Sequence, residues 1–309
     1  MNKKNVLTVK NLNKTYQKKG SNPVTAIENL NLSVQQGEIF GLLGPNGAGK
    51  TTFINILSGS VMKTSGFVEV WGFNLDKNPR QVRASIGIVA QDVNLDPFFT
   101  PESLLDLQAG LYGIKKKDRI TSKILNLVSL EKQAKSYARS LSGGMKRRLM
   151  VAKSLVHQPP IIILDEPTAG VDVELRQNLW KNVKTLNQEG VTIILTTHYL
   201  EEAEKMCDRI GILNKGNLVA LDTTQKLLEK IQIKKISIKV NKRVNINENK
   251  FKTLKIVSST NDEINLSYDK NELKIDQIIK LIEENGARIL DLSTDDGDLE
   301  DVFLSLTKS

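Results

Sequence analysis

Eight residues constrain this chain more than any other feature: Gly44, Pro45, Asn46, Gly47, Ala48, Gly49, Lys50 and Thr51. An apolar run, Ile39–Leu43, precedes them and an amphipathic stretch, residues 50–57, follows, so a strand enters the segment and a helix leaves it. Such a glycine-rich turn leaves bare backbone N–H groups at the positive end of a helix dipole, where a phosphate binds. The cradle runs from Gly44 through Thr52. Lys50 brings a point charge to the β- and γ-phosphates, and Thr51 offers a hydroxyl to Mg²⁺.

Other strand ends carry the groups such a cradle needs. Residues 161–164 are Ile-Ile-Ile-Leu, followed at once by Asp165 and Glu166. Ligands of doubly wound sheets lie beyond the carboxyl ends of the strands, so both acids face the site. Asp165 is placed to hold Mg²⁺, and Glu166 to accept a proton from, or orient, an attacking water. His198 closes the apolar run of residues 192–197, where a γ-phosphate would lie. Gln91 ends residues 86–90 in the same way, and its amide reaches Mg²⁺ or the water. Tyr16 follows the first strand and serves either ordinary packing or stacking on adenine.

Short apolar runs at 6–9, 39–43, 86–89, 161–164, 191–196 and 210–213 alternate with longer amphipathic stretches. That pattern predicts an α/β core with a mainly parallel sheet. Residues 95–157 break the alternation and read as a helical insert, with Thr100 and Pro101 opening one helix. From about residue 225 the texture changes to alternating strands at 235–240 and 263–268, a helix at 275–284 and a closing helix near the end. We read residues 1–224 as a nucleotide-binding domain and 225–309 as a small α+β domain without a catalytic constellation.

A second cradle stands in residues 141–149, LSGGMKRRL. Ser142, Gly143 and Gly144 open a helix as bare as the first, 92 positions beyond Lys50. Spacing alone shows two anion sites and gives no reason for the second.

Charge and cysteine content narrow the setting. The net charge is +9, and the residues from Lys226 onward carry 15 Lys and Arg against 15 Asp and Glu. The excess therefore sits in the first domain, as a solvated lysine-rich surface, because no recognition helix, zinc pattern or aromatic-basic strand accompanies it. No nucleic-acid partner is expected. No apolar run nears the ~18 residues of a membrane span. No signal peptide follows Met1, and the single cysteine, Cys207, fits a reducing compartment. A soluble cytoplasmic chain is expected.

Taken together, these motifs resemble the ATP-binding subunit of ABC transporters. The phosphate loop, Gln91, residues 141–145, Asp165 and Glu166, the loop Ala169-Gly170-Val171-Asp172 and Thr197-His198 stand in that family's order. The likeness covers residues 5–220. LSGGMKRRL, DEPTAGVD with VELR, and TTHYLEEAE narrow it to the type-2 exporter class of antibiotic-resistance, nodulation-factor and YadG-like ATPases. Met145 and the loop at 169–172 depart from the commonest family residues but are normal for this branch.

The resemblance implies a P-loop fold with an antiparallel N-terminal β subdomain, and ATP with Mg²⁺ as ligands. It also implies a head-to-tail dimer in which Ser142, Gly143 and Gly144 clasp the γ-phosphate of an ATP held by the other copy's Lys50. The cycle would drive a separate permease, whose cytoplasmic helix docks between Gln91 and the helical insert, near the aromatic stretch 94–99. That partner would hold the chain at the cytoplasmic face of the plasma or inner membrane. A soluble ABC ATPase acting on ribosomes or DNA is the competing reading. Such proteins carry two ATPase modules, or a long coiled coil between phosphate loop and signature, and this sequence has neither. Neither the cargo nor a task for the C-terminal domain can be read from it.

Overall fold

The computed structural model describes residues 4–17, 20, 22–169, 173–244, 253–295 and 297–307. Contacts divide the chain into two units, Met1–Thr223 and Thr224–Ser309.

The first unit is built on two sheets. Strands β1 (Asn5–Tyr16), β2 (Val24–Gln35), β4 (Ser65–Val70) and β5 (Phe73–Asn74) form an antiparallel sheet in the order β2-β1-β4-β5. Only the first few residues of β1 are apolar enough to read as a strand. Beyond them Asn11 and Asn29 adopt positive φ at interruptions in the β1–β2 ladder, and asparagine side chains replace the missing backbone bonds. Asn31 accepts from the Asn11 amide at 2.9 Å, and Asn13 from the Asn29 amide at 2.9 Å. Asparagine tolerates this left-handed backbone better than most residues.

The second sheet has the order β10-β9-β3-β8-β7-β6, from β3 (Ile39–Leu43), β6 (Ile86–Val89), β7 (Ile161–Asp165), β8 (Thr192–Thr197), β9 (Arg209–Asn214) and β10 (Asn217–Thr223). Its strands are parallel except β10. β3, β7 and β8 are buried throughout, which is why they are apolar without alternation. Helices α1 (Lys50–Ser58), α2 (Pro79–Ala84), α6 (Val173–Gln188) and α7 (Leu200–Met206) connect them. Between β6 and β7 the chain forms α3 (Pro101–Leu111), α4 (Thr121–Leu127), α5 (Gly143–Leu155) and three short 3₁₀ turns, with no strand among the described residues. Thr100 caps α3 as its sequence suggests, accepting from the Ser103 amide.

The second unit opens with α8 (Thr224–Glu229). Its sheet of β11 (Ile233–Val240), β12 (Lys255–Ser259), β13 (Glu263–Asp269) and β14 (Ile289–Asp295) has the antiparallel order β12-β13-β11-β14. Ile236, Ile238, Ile264, Leu266 and Tyr268 turn one sheet face into a core with Ile278 and Ile282 of α9 (Ile275–Glu284). The closing helix is α10 (Leu299–Thr307).

Candidate functional site

Register brings the site together. Leu43 pairs with Thr197, Asp165 with Thr196, and Val89 with Leu164. The loops leaving β3, β6, β7 and β8 therefore emerge side by side and carry Gly44, Gln91, Glu166 and His198. They enclose a cavity of about 450 Å³ lined by Asn46, Gly47, Ala48, Gly49, Lys50, Thr51, Thr52, Gln91, Glu166, Ala169 and His198, with Ala26 from β2.

The phosphate loop needs its glycines for space. Gly49 has φ 108°, and a Cβ there would lie 2.5 Å from the Ala26 carbonyl oxygen. No side chain caps α1, so its first amides stay available to a ligand. Lys50 is 5% exposed, and its Nζ donates to the carbonyls of Gly44 at 2.7 Å and Pro45 at 3.2 Å. Burial pulls its pKa below the ordinary lysine value, and the charges of Glu166 and Asp165 oppose the shift.

The two carboxylates have separate surroundings. Asp165 is buried, and the Thr196 hydroxyl donates to its Oδ1 at 2.5 Å. Burial raises its pKa against that hydrogen bond. Glu166 has φ 44°, a backbone that costs a non-glycine residue about 1–3 kcal/mol and recurs at functional sites. Its amide donates to the Thr196 carbonyl at 3.0 Å, holding the turn. Its Oε2 accepts from Gln91 Nε2 at 3.2 Å and from His198 Nδ1 at 3.1 Å. Three candidates from distant parts of the sequence thus meet at one oxygen.

Not every candidate lines this cavity. Gly44 and Pro45 take part through their bonds to Lys50. Tyr16 ends β1 with its ring 40% exposed and Lys14 Nζ 4.6 Å above it, and it is absent from the lining. Ser142, Gly143 and Gly144 are absent too. Ser142 caps α5, accepting from the Met145 amide at 3.3 Å, and a Cβ on Gly143 would meet open space. The glycine-rich turn at Ser142 is therefore separate from the cavity around Lys50. Gly170, Val171 and Asp172 lie outside the described residues.

Sequence reasoning missed Thr196, whose signal was its place at the buried end of β8. It also missed Arg147, which is 7% exposed and donates to the carbonyls of Gln91 at 2.6 Å, Ala90 at 3.1 Å and Ala169 at 3.5 Å. Glu202 of α7 went unnoticed as well. It accepts from the Thr168 hydroxyl at 2.7 Å and pairs with Arg176 at 3.2 Å, tying the turn after Glu166 to the helix after His198.

An oxygen-rich donor set of hydroxyl, amide and one carboxylate suits Mg²⁺, which is usually held by one or two carboxylates together with substrate phosphates. Thr51 and Gln91 line the cavity, whereas Asp165, the third candidate, is buried next to Glu166 and is not among the lining residues.

Comparison with known proteins identifies the family. The family model described as ABC transporter matches residues 27–169. The linearmycin resistance ATP-binding protein LnrL of Bacillus subtilis is 33% identical, over 98% of this chain and 98% of its own length. The Nod factor export ATP-binding protein I of Ralstonia nicotianae is 37% identical over 72% of this chain and 68% of its length. A solved ATP-binding subunit of an ABC transporter superposes with a TM-score of 0.65 at 29% identity, over 73% of this chain and 92% of that one. A dimeric ATP-binding cassette in a post-hydrolysis state with ADP and Pi gives 0.63 at 28% identity, over 71% and 98%.

Proposed function

The chain belongs to the ABC transporter family as an ATPase of the exporter class, and from that premise we propose that it powers a separate membrane permease as a head-to-tail dimer. The observation that carries this reading is the pair of unlike cradles. One lines a cavity together with Glu166, and the other, at Ser142, is exposed and stands outside that cavity. A second copy brings the two together.

In this reading the α1 amides and Lys50 take the phosphates, the lysine exchanging the Gly44 and Pro45 carbonyls for them. Tyr16 supplies a stacking surface for adenine. Thr51, Asp165 and Gln91 would hold Mg²⁺, which would neutralise phosphate charge. Glu166 orients the attacking water and accepts its proton. His198 and Gln91, now sharing Oε2, release it as the γ-phosphate engages them. Ser142, Gly143 and Gly144 of the second copy close the site.

Among the described residues no helix is long and apolar enough to cross a membrane, and a separate permease is in keeping with that. Its cytoplasmic helix would enter a second cavity, of about 400 Å³, lined by Asp92, Asn94, Gln108, Tyr112 and His157. Phe98, 69% exposed, lies in the loop leading from it.

Glu166→Gln tests the reading. It should lower ATP turnover by roughly 10²-fold or more, the range for a general base, and give an ATP-dependent dimer on size-exclusion chromatography. Near-normal turnover, or a monomer at saturating ATP, would sink it.

A further inference from the structure

Arg147 and Arg148 are neighbours in one helix and do different things. Arg148 points into the helical insert and donates to the carbonyls of Val128 and Ser129, both at 2.9 Å. Arg147 leaves the insert and reaches the nucleotide site's backbone. Its guanidinium spans the carbonyls of Ala90 and Gln91 on one side and Ala169 on the other. Among the described residues its hydrogen bonds go to carbonyls and none to a carboxylate; Asp92 is the anion that acts on it through space. A buried guanidinium held mainly by carbonyl dipoles is costly in a core, and its planar fork suits several fixed acceptors in a way no lysine matches.

The carbonyls it holds are specific. The Gln91 side chain donates to Glu166 Oε2, so fixing the Gln91 backbone fixes one of the two groups on that oxygen. Ala169 accepts through its carbonyl, while its amide donates to the Glu166 carbonyl at 3.2 Å. Arg147 thus grips the segments on both sides of Glu166. It does so from α5, the helix whose first residues are the open cradle. The link runs from Ser142 along about 1.4 turns of helix to Arg147 and on to Gln91 and Glu166.

We propose that Arg147 is a positioning residue through which the signature helix sets the place of its own chain's Gln91 beside Glu166. This rests on the dimer reading above. When α5 clasps a nucleotide held by the other copy, the guanidinium carries that displacement to the Ala90–Gln91 backbone. Each site then becomes competent for hydrolysis only when its own chain's signature is engaged. Helices pass such displacements as rigid elements.

The test compares full-length wild type with Arg147→Lys, Arg147→Met, Gln91→Ala and the Arg147→Lys/Gln91→Ala double variant. Steady-state ATPase kinetics and thermal melting are measured for each, with Arg148→Lys as control. Arg147→Lys should lower kcat about tenfold with little change in KM or Tm, because a ~1 Å misplacement of a catalytic group can cost about 10²-fold. Arg147→Met should do the same, and if it fails to fold the lysine variant still decides. The double variant should be no slower than Gln91→Ala, since residues acting through one another are not additive. Arg148→Lys should lower Tm, and its kcat per folded chain should fall much less than that of Arg147→Lys.

Wild-type kcat in Arg147→Lys, or losses that multiply in the double variant, would overturn the proposal alone. A wild type that hydrolyses no ATP, or is unaffected by Glu166→Gln, would bring down the underlying reading and this one with it.

Discussion

Lys50 shows how differently a single residue can be legible in sequence and in structure. Its role follows from spacing, since the motif leaves one cation facing whatever the glycines cradle. Its hydrogen bonds do not, because the Gly44 and Pro45 carbonyls that accept from it come from a backbone path that pattern alone leaves undetermined. Asp165 and Glu166 are equally plain as a pair at a strand end. Only the fold separates them, one buried against Thr196 and the other turned by its positive φ toward Gln91 and His198. Tyr16 marks the limit of such reading, since a tyrosine near a strand end carries no periodic signal of where its ring goes. Replacing Lys50 by alanine removes the phosphate's cation and leaves two inward carbonyls without their donor. A charge-assisted hydrogen bond contributes about 1.5–3 kcal/mol, so ATP affinity should fall roughly 10- to 100-fold. Calorimetric titration with a non-hydrolysable ATP analogue checks this, and unchanged affinity would remove Lys50 from the site.

At the scale of elements, the buried parallel strands and long helices could be read because burial on both faces forces a continuous apolar run. The N-terminal strands could not be followed beyond residue 9, because their ladder is mended by asparagine side chains that look like loop. The helix α5 hides a different device at its far end. His157 Nε2 donates to the Ile86 carbonyl at 3.0 Å, and the ring stacks on Tyr112 with centroids 3.8 Å apart. Nδ1 is buried without a partner, so the neutral ring fits and a second N–H would have no acceptor. Burial accordingly holds the pKa below the usual histidine value, with the Ile86 bond opposing it. Arg83, Lys153 and Asp92 line the same cavity. The unfolded chain therefore binds a proton near pH 6.5 that the folded chain refuses, so stability is present above that pH and declines as pH falls through it. His157→Phe keeps the stack and removes the titration. Melting temperatures measured from pH 8 to pH 5 should show wild type losing ground to the variant on the acid side. Parallel curves would mean that the ring titrates normally in the folded state.

For the whole molecule, every residue lining the nucleotide cavity belongs to the unit Met1–Thr223, and the second unit keeps a separate core around Tyr268 and α9. A change from buried runs to alternating strands near residue 225 is visible in the sequence because a sheet covered on one face must alternate. What sequence cannot show is that Ser142 stands outside the cavity around Lys50, since that depends on how α5 stands to the loops beyond β3 and β7. If each Ser142 cradle belongs to another copy's site, cysteines at Asn46 and Ser142 should meet between chains. Cys207 is first replaced by serine. It is buried, and burial holds its thiol well above the ordinary range, but its removal leaves the linkage unambiguous. Both target positions are exposed. A short bis-maleimide is the better probe, because a disulfide needs Cα atoms within about 7 Å. In a Glu166→Gln background the doubly substituted chain should run as a covalent dimer on a denaturing gel only when ATP was present, and each single cysteine should give little. The joined residues are unlike, so the two-fold axis brings each Asn46 to the other copy's Ser142 and never to its own kind. Linkage that forms without ATP, stays within single chains and survives dilution would show both cradles serving one nucleotide in one copy.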